Sequence, residues 1–294
     1  LIARLDPAAG GLVELDRRML IVRLGQGVDR TGAFAPEALE RTFAACREYR
    51  AVIERHGASR IRFVATSATR DAANRDQFAA GVRDLFGVGP EVISGDEEAA
   101  LSFAGATREL AALTEASRPY LVLDIGGGST EFVLGGRAAE VAAARSVDIG
   151  CVRMTERHLH GDPPTAEQIA AARADIDAAI EEAGRTVPVE RAGTLVGLAG
   201  SVTTVAALAM GLAEYDSDQV HHAWLTADQV RDVTHRLLAA SHAQRAANPV
   251  IHPGRVDVIG AGALILTAVM ERVGAQQVLV SEHDILDGIA WSLF

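Results

Sequence analysis

An aspartate, three glycines and two hydroxyls fall together in the stretch LVLDIGGGST, residues 121–130. The apolar run ahead of Asp124 reads as a buried strand, which leaves that carboxylate at the strand's end, facing a cleft instead of the core. Gly126, Gly127 and Gly128 carry no Cβ, so the backbone can take positive φ and bring several N–H groups up to an oxygen-rich ligand. Ser129 and Thr130 add hydroxyl donors. These residue types can hold an anion such as phosphate beside a carboxylate. A dinucleotide fingerprint would need a helix next and a glycine three positions beyond Gly128, where Glu131 stands, so the stretch reads as a phosphate loop inside a hairpin. A triple glycine by itself more often marks only a turn; Asp124 before it and STE after it tip the reading toward a site.

Alternating strands and helices must carry this loop. Strands are expected at 19–24, 61–65, 91–93, 120–123 and 195–198, with two more after the loop. Residues 36–56 read as a helix, with Leu39, Phe43, Cys46, Tyr49 and Ile53 down one face and Gly57 past its end. Further helices are expected at 68–85, 96–113, 202–212 and 256–272. Another runs from Thr165 to Gly184, where Thr165 and Gln168 match a capping box. Ser281 with Asp284 resembles a further cap, opening a terminal helix.

An internal repeat orders these elements. Leu1 to Ala3, a turn at Gly10 and Gly11, the strand ending in GQGV, a long helix and FVATSATRDAA (63–73) form the first copy. Residues 131–134, the turn at Gly135 and Gly136, a strand ending in DIGCV, a long helix and VGLAGSVTTVAAL (196–208) form the second. The expected architecture is one strand-strand-strand-helix-strand-helix unit used twice about a cleft, over residues 1–113 and 114–294. In the second copy a central strand precedes the hairpin. The first copy starts at the hairpin, so its central strand is expected upstream of Leu1 and a sheet edge is expected to lie unpaired.

Composition narrows the function. With 294 residues, 49% of them apolar, the chain can bury ordinary cores in two domains of roughly 100 to 200 residues. A net charge of -11 argues against a sequence-blind binder of nucleic-acid polymers, while leaving room for a focused anion site. All 28 basic side chains are arginine, which excludes Schiff-base chemistry and a phosphate-loop lysine. Cys46 and Cys151 match no metal spacing and read as small buried side chains in a reducing cytoplasm. No signal-peptide pattern opens the chain. Residues 195–213 run without a charge, yet Gly197, Gly200, Ser201, Thr203 and Thr204 cluster where a strand would pass into a helix, so no membrane span is expected. The HLH at 158–160 and the HH at 221–222 lack zinc-site spacing and are not read as ligands. His252, before Pro253 and Gly254, reads as a turn.

Five stretches, in order over nearly the whole chain, resemble the signatures of the exopolyphosphatase and guanosine pentaphosphatase family. They are ATSATRDAANRDQF (65–78), SGDEEAALSFAG (94–105), VLDIGGGSTEFVLG (122–135), DIGCVRMTE (148–156) and LAGSVTTVAAL (198–208). The resemblance implies an α/β fold in which a ribonuclease-H-like unit of the actin type is duplicated about a cleft, in agreement with the repeat. It also implies hydrolysis of a terminal phosphoanhydride of polyphosphate or guanosine pentaphosphate with a divalent cation, Mg2+ or Mn2+. By position, Glu98 resembles the family's general base, Asp124 its cation ligand and Glu131 a second acid beside them. Gly126 to Thr130, with Gly200, Ser201, Val202 and Thr203, would hold phosphate oxygens, and Arg70 and Asn74 would line the cleft. Blander roles are open to some of these: Asp96, Glu97 and Glu98 suit the first turn of a helix on dipole grounds alone, and Arg70 could pair with Asp71 or Asp76. A non-catalytic sensor of polyphosphate or an alarmone is the alternative from another class, and the resemblance leaves room for a homodimer. Two features depart from the family pattern. Its first phosphate loop is expected ahead of Leu1, and Leu286 stands where the family usually carries arginine.

Overall fold

The structure, a computed structural model, describes residues 1–6, 11–136 and 140–294; the turn expected at Gly10 lies outside them. Two antiparallel strands come first, β1 (Ile2–Asp6) and β2 (Gly11–Asp16). The short α1 (Val28–Thr31) leads to α2 (Pro36–His56), which starts with Pro36 at its first position and stops where Gly57 turns left-handed. A parallel pair, β3 (Val64–Ala65) and β4 (Glu91–Val92), is joined through α3 (Ser67–Asp71) and α4 (Arg75–Phe86). Phe34, Phe43 and Phe63 close on Phe78 to make the small core of this part. Helix α5 (Gly95–Thr107) follows, capped by Ser94, whose Oγ accepts from the Glu97 amide.

The second part holds β5 (Tyr120–Ile125), β6 (Thr130–Gly135) and β7 (Val141–Val147), then α6 (Cys151–His158), α7 (Ala166–Gly184), β8 (Thr194–Leu198) and α8 (Ala199–Ala209). After α9 (Ser217–Val220) come β9 (Trp224–Thr226), α10 (Ala227–Ala239), α11 (His242–Ala246), α12 (Ile259–Val273), β10 (Gln277–Val280) and α13 (Ile285–Trp291). Their sheet runs β7-β6-β5-β8-β10-β9, with β8 parallel to both β5 and β10. Side chains alternate between its faces. Leu121, Leu123 and Ile125 enter the core shared with α7, α8 and α12, while Tyr120 and Val122 meet Ala99, Phe103 and Ala106 of α5. Helices on both faces bury β5, β6 and β8 along their whole length. Helix α13 crosses α5 backbone to backbone: a Cβ on Gly105 would sit 1.9 Å from the Asp284 carbonyl oxygen, and one on Gly288 2.0 Å from that of Leu101.

The α/β fold with a duplicated order of elements matches the expectation, because β1, β2, α2, β3 and α3 recur as β6, β7, α7, β8 and α8. Several boundaries differ. The segment expected as a strand at 19–24 is irregular; β2, which lies closer to β1 in the chain, takes the pairing with it, and Ile21 packs on Gly254. The helix expected at 68–85 divides at 72–74, where the Asn74 side chain bonds both ways to the Phe34 backbone. The helix expected at 96–113 ends at Thr107, and the one expected at 202–212 starts earlier, at Ala199. Thr165 and Gln168 do form the capping box. The last cap is Asp284 with Asp287, whereas the Ser281 hydroxyl donates to the His283 carbonyl.

Among the described residues β1 pairs with β2 alone and β3 with β4 alone, and a 1340 Å³ groove lined by Ile2, Leu5, Phe63 and Val64 lies beside them. No helix among these residues is long and apolar enough to cross a membrane; the uncharged run at 195–213 divides between β8 and α8.

Candidate functional site

Strand alternation decides where Asp124 points. It has the parity of Tyr120 and Val122, so it lies on the face covered by α5, and its partner across the ladder is Glu131. The first turn of α5 carries Glu98. In that turn Asp96 and Glu97 are exposed but Glu98 is 8% exposed, like Asp124, while Glu131 is at 1%. Each acid has a donor: Ser102 Oγ gives 2.7 Å to Asp124 Oδ2, Ser146 Oγ gives 2.7 Å to Glu131 Oε1, and Arg70 Nη1 gives 2.8 Å to Glu98 Oε2. Arg70 therefore serves Glu98 and the Ile93 carbonyl rather than Asp71 or Asp76.

These donors do not offset the burial. Desolvation pushes Asp124 up to about 7, against the Ser102 bond and with added repulsion from Asp284 and Glu98. Burial, then the charges of Asp124 and Glu98, pushes Glu131 well above the ordinary glutamate range. Glu98 is raised as well, burial outweighing the Arg70 guanidinium. A buried acid cluster with one arginine is short of positive charge. Its acids offer only carboxylate oxygens, the donor type that hard dications prefer.

Two sets of backbone amides face the same crevice. In the β5–β6 turn the Gly126 carbonyl accepts from the Cys151 amide and the Gly127 carbonyl from those of Val152 and Arg153. Arg153 Nε donates to the Gly128 carbonyl at 2.7 Å. The turn's oxygens are thus occupied by α6, whereas the N–H groups of Gly127, Gly128 and Ser129 meet no protein acceptor among the described residues. On the other side, β8 passes directly into α8 through Ala199, which takes φ 67, leaving the first amides of α8 without partners in their own helix. Arg255 lies over this helix start: a Cβ on Gly200 would come 1.8 Å from its Nη2, so a larger residue there would displace the guanidinium. Arg255 makes no ion pair among the described residues, and burial lowers its pKa. The crevice measures 380 Å³ and is lined by Glu98, the 126–129 turn, Arg153, Gly200, Ser201 and Arg255.

A sequence profile of the Ppx/GppA phosphatase family matches residues 1–294. The chain belongs to that family. Exopolyphosphatase 2 of Mycobacterium tuberculosis is 50% identical over 97% of this chain and 91% of its own length. The crystal structure of an exopolyphosphatase-like protein superposes with a TM-score of 0.93 at 46% identity, covering 96% of this chain and 92% of the other. A Ppx/GppA family member from Aquifex aeolicus gives 0.78 at 28% identity, covering 99% and 92%.

Of the residues expected at this Ppx/GppA site, Glu98, Gly126, Gly127, Gly128, Ser129, Gly200 and Ser201 line the crevice, while Asp124, Glu131 and Arg70 lie outside its lining, grouped around Glu98. The structure removes others. Asn74 has both ends of its amide on Phe34 and does not line the crevice. The Thr130 hydroxyl is fully buried and donates to the Ile149 carbonyl at 2.6 Å. Val202 is a core residue packed on Gly197, and Thr203 also lies outside the crevice. Sequence reading missed Ser102, Arg153 and Arg255. Ser102 sits one turn beyond Glu98 on the same helix face, a spacing that could have flagged it; for Arg255 the local sequence holds no signal.

Proposed function

We propose that this chain is an exopolyphosphatase, releasing inorganic phosphate from the end of a polyphosphate chain, with guanosine pentaphosphate as the competing substrate. The carrying observation is that Glu98, one of three interacting buried carboxylates, lines a single crevice together with two sets of unpaired amides, drawn from the proposed units 1–113 and 114–294. The likeness to exopolyphosphatase 2 supports the substrate class.

Phosphoanhydride hydrolysis needs positioning, charge neutralisation and an aligned water, with little covalent work from the protein. The amides of 127–129 and the start of α8 would bind the terminal phosphate oxygens, and Arg255 would clamp the next phosphate with parallel N–H bonds. Asp124, with Glu131 beside it, would hold a divalent cation, which when bound supplies neutralisation of the phosphate charge. Glu98 would take the proton of the attacking water. Arg70 keeps its carboxylate oriented and opposes the protonation that burial favours.

Phosphate release from polyphosphate tests this reading. Glu98→Gln is expected to lower the rate about 10²- to 10⁴-fold with polyphosphate still bound. Binding of polyphosphate with only residual phosphate release, unchanged in Glu98→Gln, defeats the catalytic reading and favours a sensor. Rates on short polyphosphate and guanosine pentaphosphate at matched concentration rank the two substrates.

A further inference from the structure

The helix that presents Glu98 to the crevice runs at its far end into a second cluster, which the phosphate chemistry does not use. Glu109, just past α5, places Oε2 3.6 Å from His221 Nε2 and 3.5 Å from His283 Nδ1. One ligand atom from each of the three lies within 4.8 Å of the others. Such separations are long for hydrogen bonds. They do fit donors sharing an ion, since two ligand atoms 2.0–2.1 Å from a tetrahedral dication stand about 3.3 Å apart. His221 Nε2 is buried without a hydrogen-bond partner, and so is Nε2 of His222, whose ring stacks on that of His221 at 3.7 Å between centroids. Buried polar atoms left unpaired point to a missing water or ion.

We propose that Glu109, His221 and His283 form a binding site for a transition-metal dication of the zinc type, set apart from the carboxylate cluster around Asp124. Two imidazoles and one carboxylate suit zinc better than magnesium and leave a fourth position for water. The ion would tie the end of α5 to the 281–284 loop ahead of α13 and to the 221–223 segment ahead of β9. One bond must change on loading. His221 Nδ1 accepts from the Glu282 amide at 3.1 Å, so the neutral ring carries its proton on Nε2. Coordination through Nε2 displaces that proton, Nδ1 takes one up, and the Glu282 N–H loses its acceptor.

The test is zinc binding to the untagged protein, measured by competition with a chromophoric chelator, with cobalt(II) absorption reporting geometry. One zinc per chain with a tetrahedral cobalt spectrum is expected, retained in Asp124→Asn. His283→Ala and Glu109→Gln should each weaken it at least about tenfold, a loss already typical for removing an outer-shell partner, with circular dichroism unchanged. His158→Ala, at an imidazole paired with Asp175, should leave it intact. Hydrogen exchange at the Glu282 amide should quicken on loading. Unaltered affinity in both His283→Ala and Glu109→Gln, absence of binding, or loss of the site in Asp124→Asn overturns the assignment.

Discussion

The crevice is bordered by two charged clusters built on opposite terms. Around Asp124, three buried carboxylates have one arginine, Arg70, between them. Around Asp29, Arg153 bonds Asp29, Asp71 and the Gly128 carbonyl, while Arg157 reaches Asp29 at 2.7 Å and Asp175 at 3.2 Å. The Gly27 amide adds a bond to Glu156 at 3.0 Å. In this second cluster Asp29, Asp71 and Asp175 each have an arginine partner, and the pairs tie α1 and α3 to α6. Its Asp29 is held below the usual carboxylate range, first by the Arg157 bond and then by the Arg153 charge. In the first cluster burial moves every carboxyl the other way. Carboxylates paired one by one with arginine brace the fold; buried carboxylates that share a single arginine are open to a ligand.

The sharpest way to break that contrast is substitution on each side. Asp124→Asn is expected to abolish the response of phosphate release to added Mg2+ and to lower the rate at least about 10²-fold, while the metal-free protein melts no lower than the parent. If it melts well below, the carboxylate is a structural group like Asp29. Arg153→Ala should do the reverse. It leaves Asp71 without an arginine and Asp29 with Arg157 alone, and with Asp29 and Asp71 at 22% and 42% exposed the loss is expected to be about 2 kcal/mol in urea unfolding, within the range for charged hydrogen bonds.

The two clusters also differ in sign with pH. Asp124 and Glu131 have folded-state pKa values raised above their unfolded ones, so the metal-free folded state binds more protons, and the stability they contribute is present at low pH and lost as pH rises through those raised values, about 7 for Asp124. Asp29 is depressed, and its contribution is lost only as pH falls below the ordinary aspartate range. Metal-free protein should therefore melt higher at about pH 6 than at about pH 8, and saturating Mg2+ should flatten the difference. A flat metal-free profile would mean the acids are already compensated. The smallest effect belongs to a pair in neither cluster: Arg236→Ala, next to Asp232 with both side chains at least 60% exposed, should shift stability by less than about 0.5 kcal/mol.

Much of the site could be read in order along the chain. The glycine turn after Asp124, the helix that opens at Ser94 and the capping box at Thr165 depend on residues a few positions apart, where local backbone chemistry decides. The failures are equally specific. Asn74 and Thr130 are of the right type for phosphate, but their polar atoms are taken by the backbone of Phe34 and Ile149, and no local pattern reveals that. The apolar run at 19–24 looks like a strand, yet β2, closer to β1 in the chain, takes the pairing.

From its sequence alone this protein has its family, the alternation of strands and helices, the duplicated unit and the glycine turn, because periodicity, caps and conformational freedom are short-range properties. Tertiary structure decided which groups meet. Ladder register sets Glu131 beside Asp124, and strand parity turns both toward α5. The Gly105–Gly288 crossing seats α13 on that helix, and a residue from the 253–258 segment, Arg255, comes to lie over Gly200. Contacts between segments far apart in the chain depend on how whole elements pack.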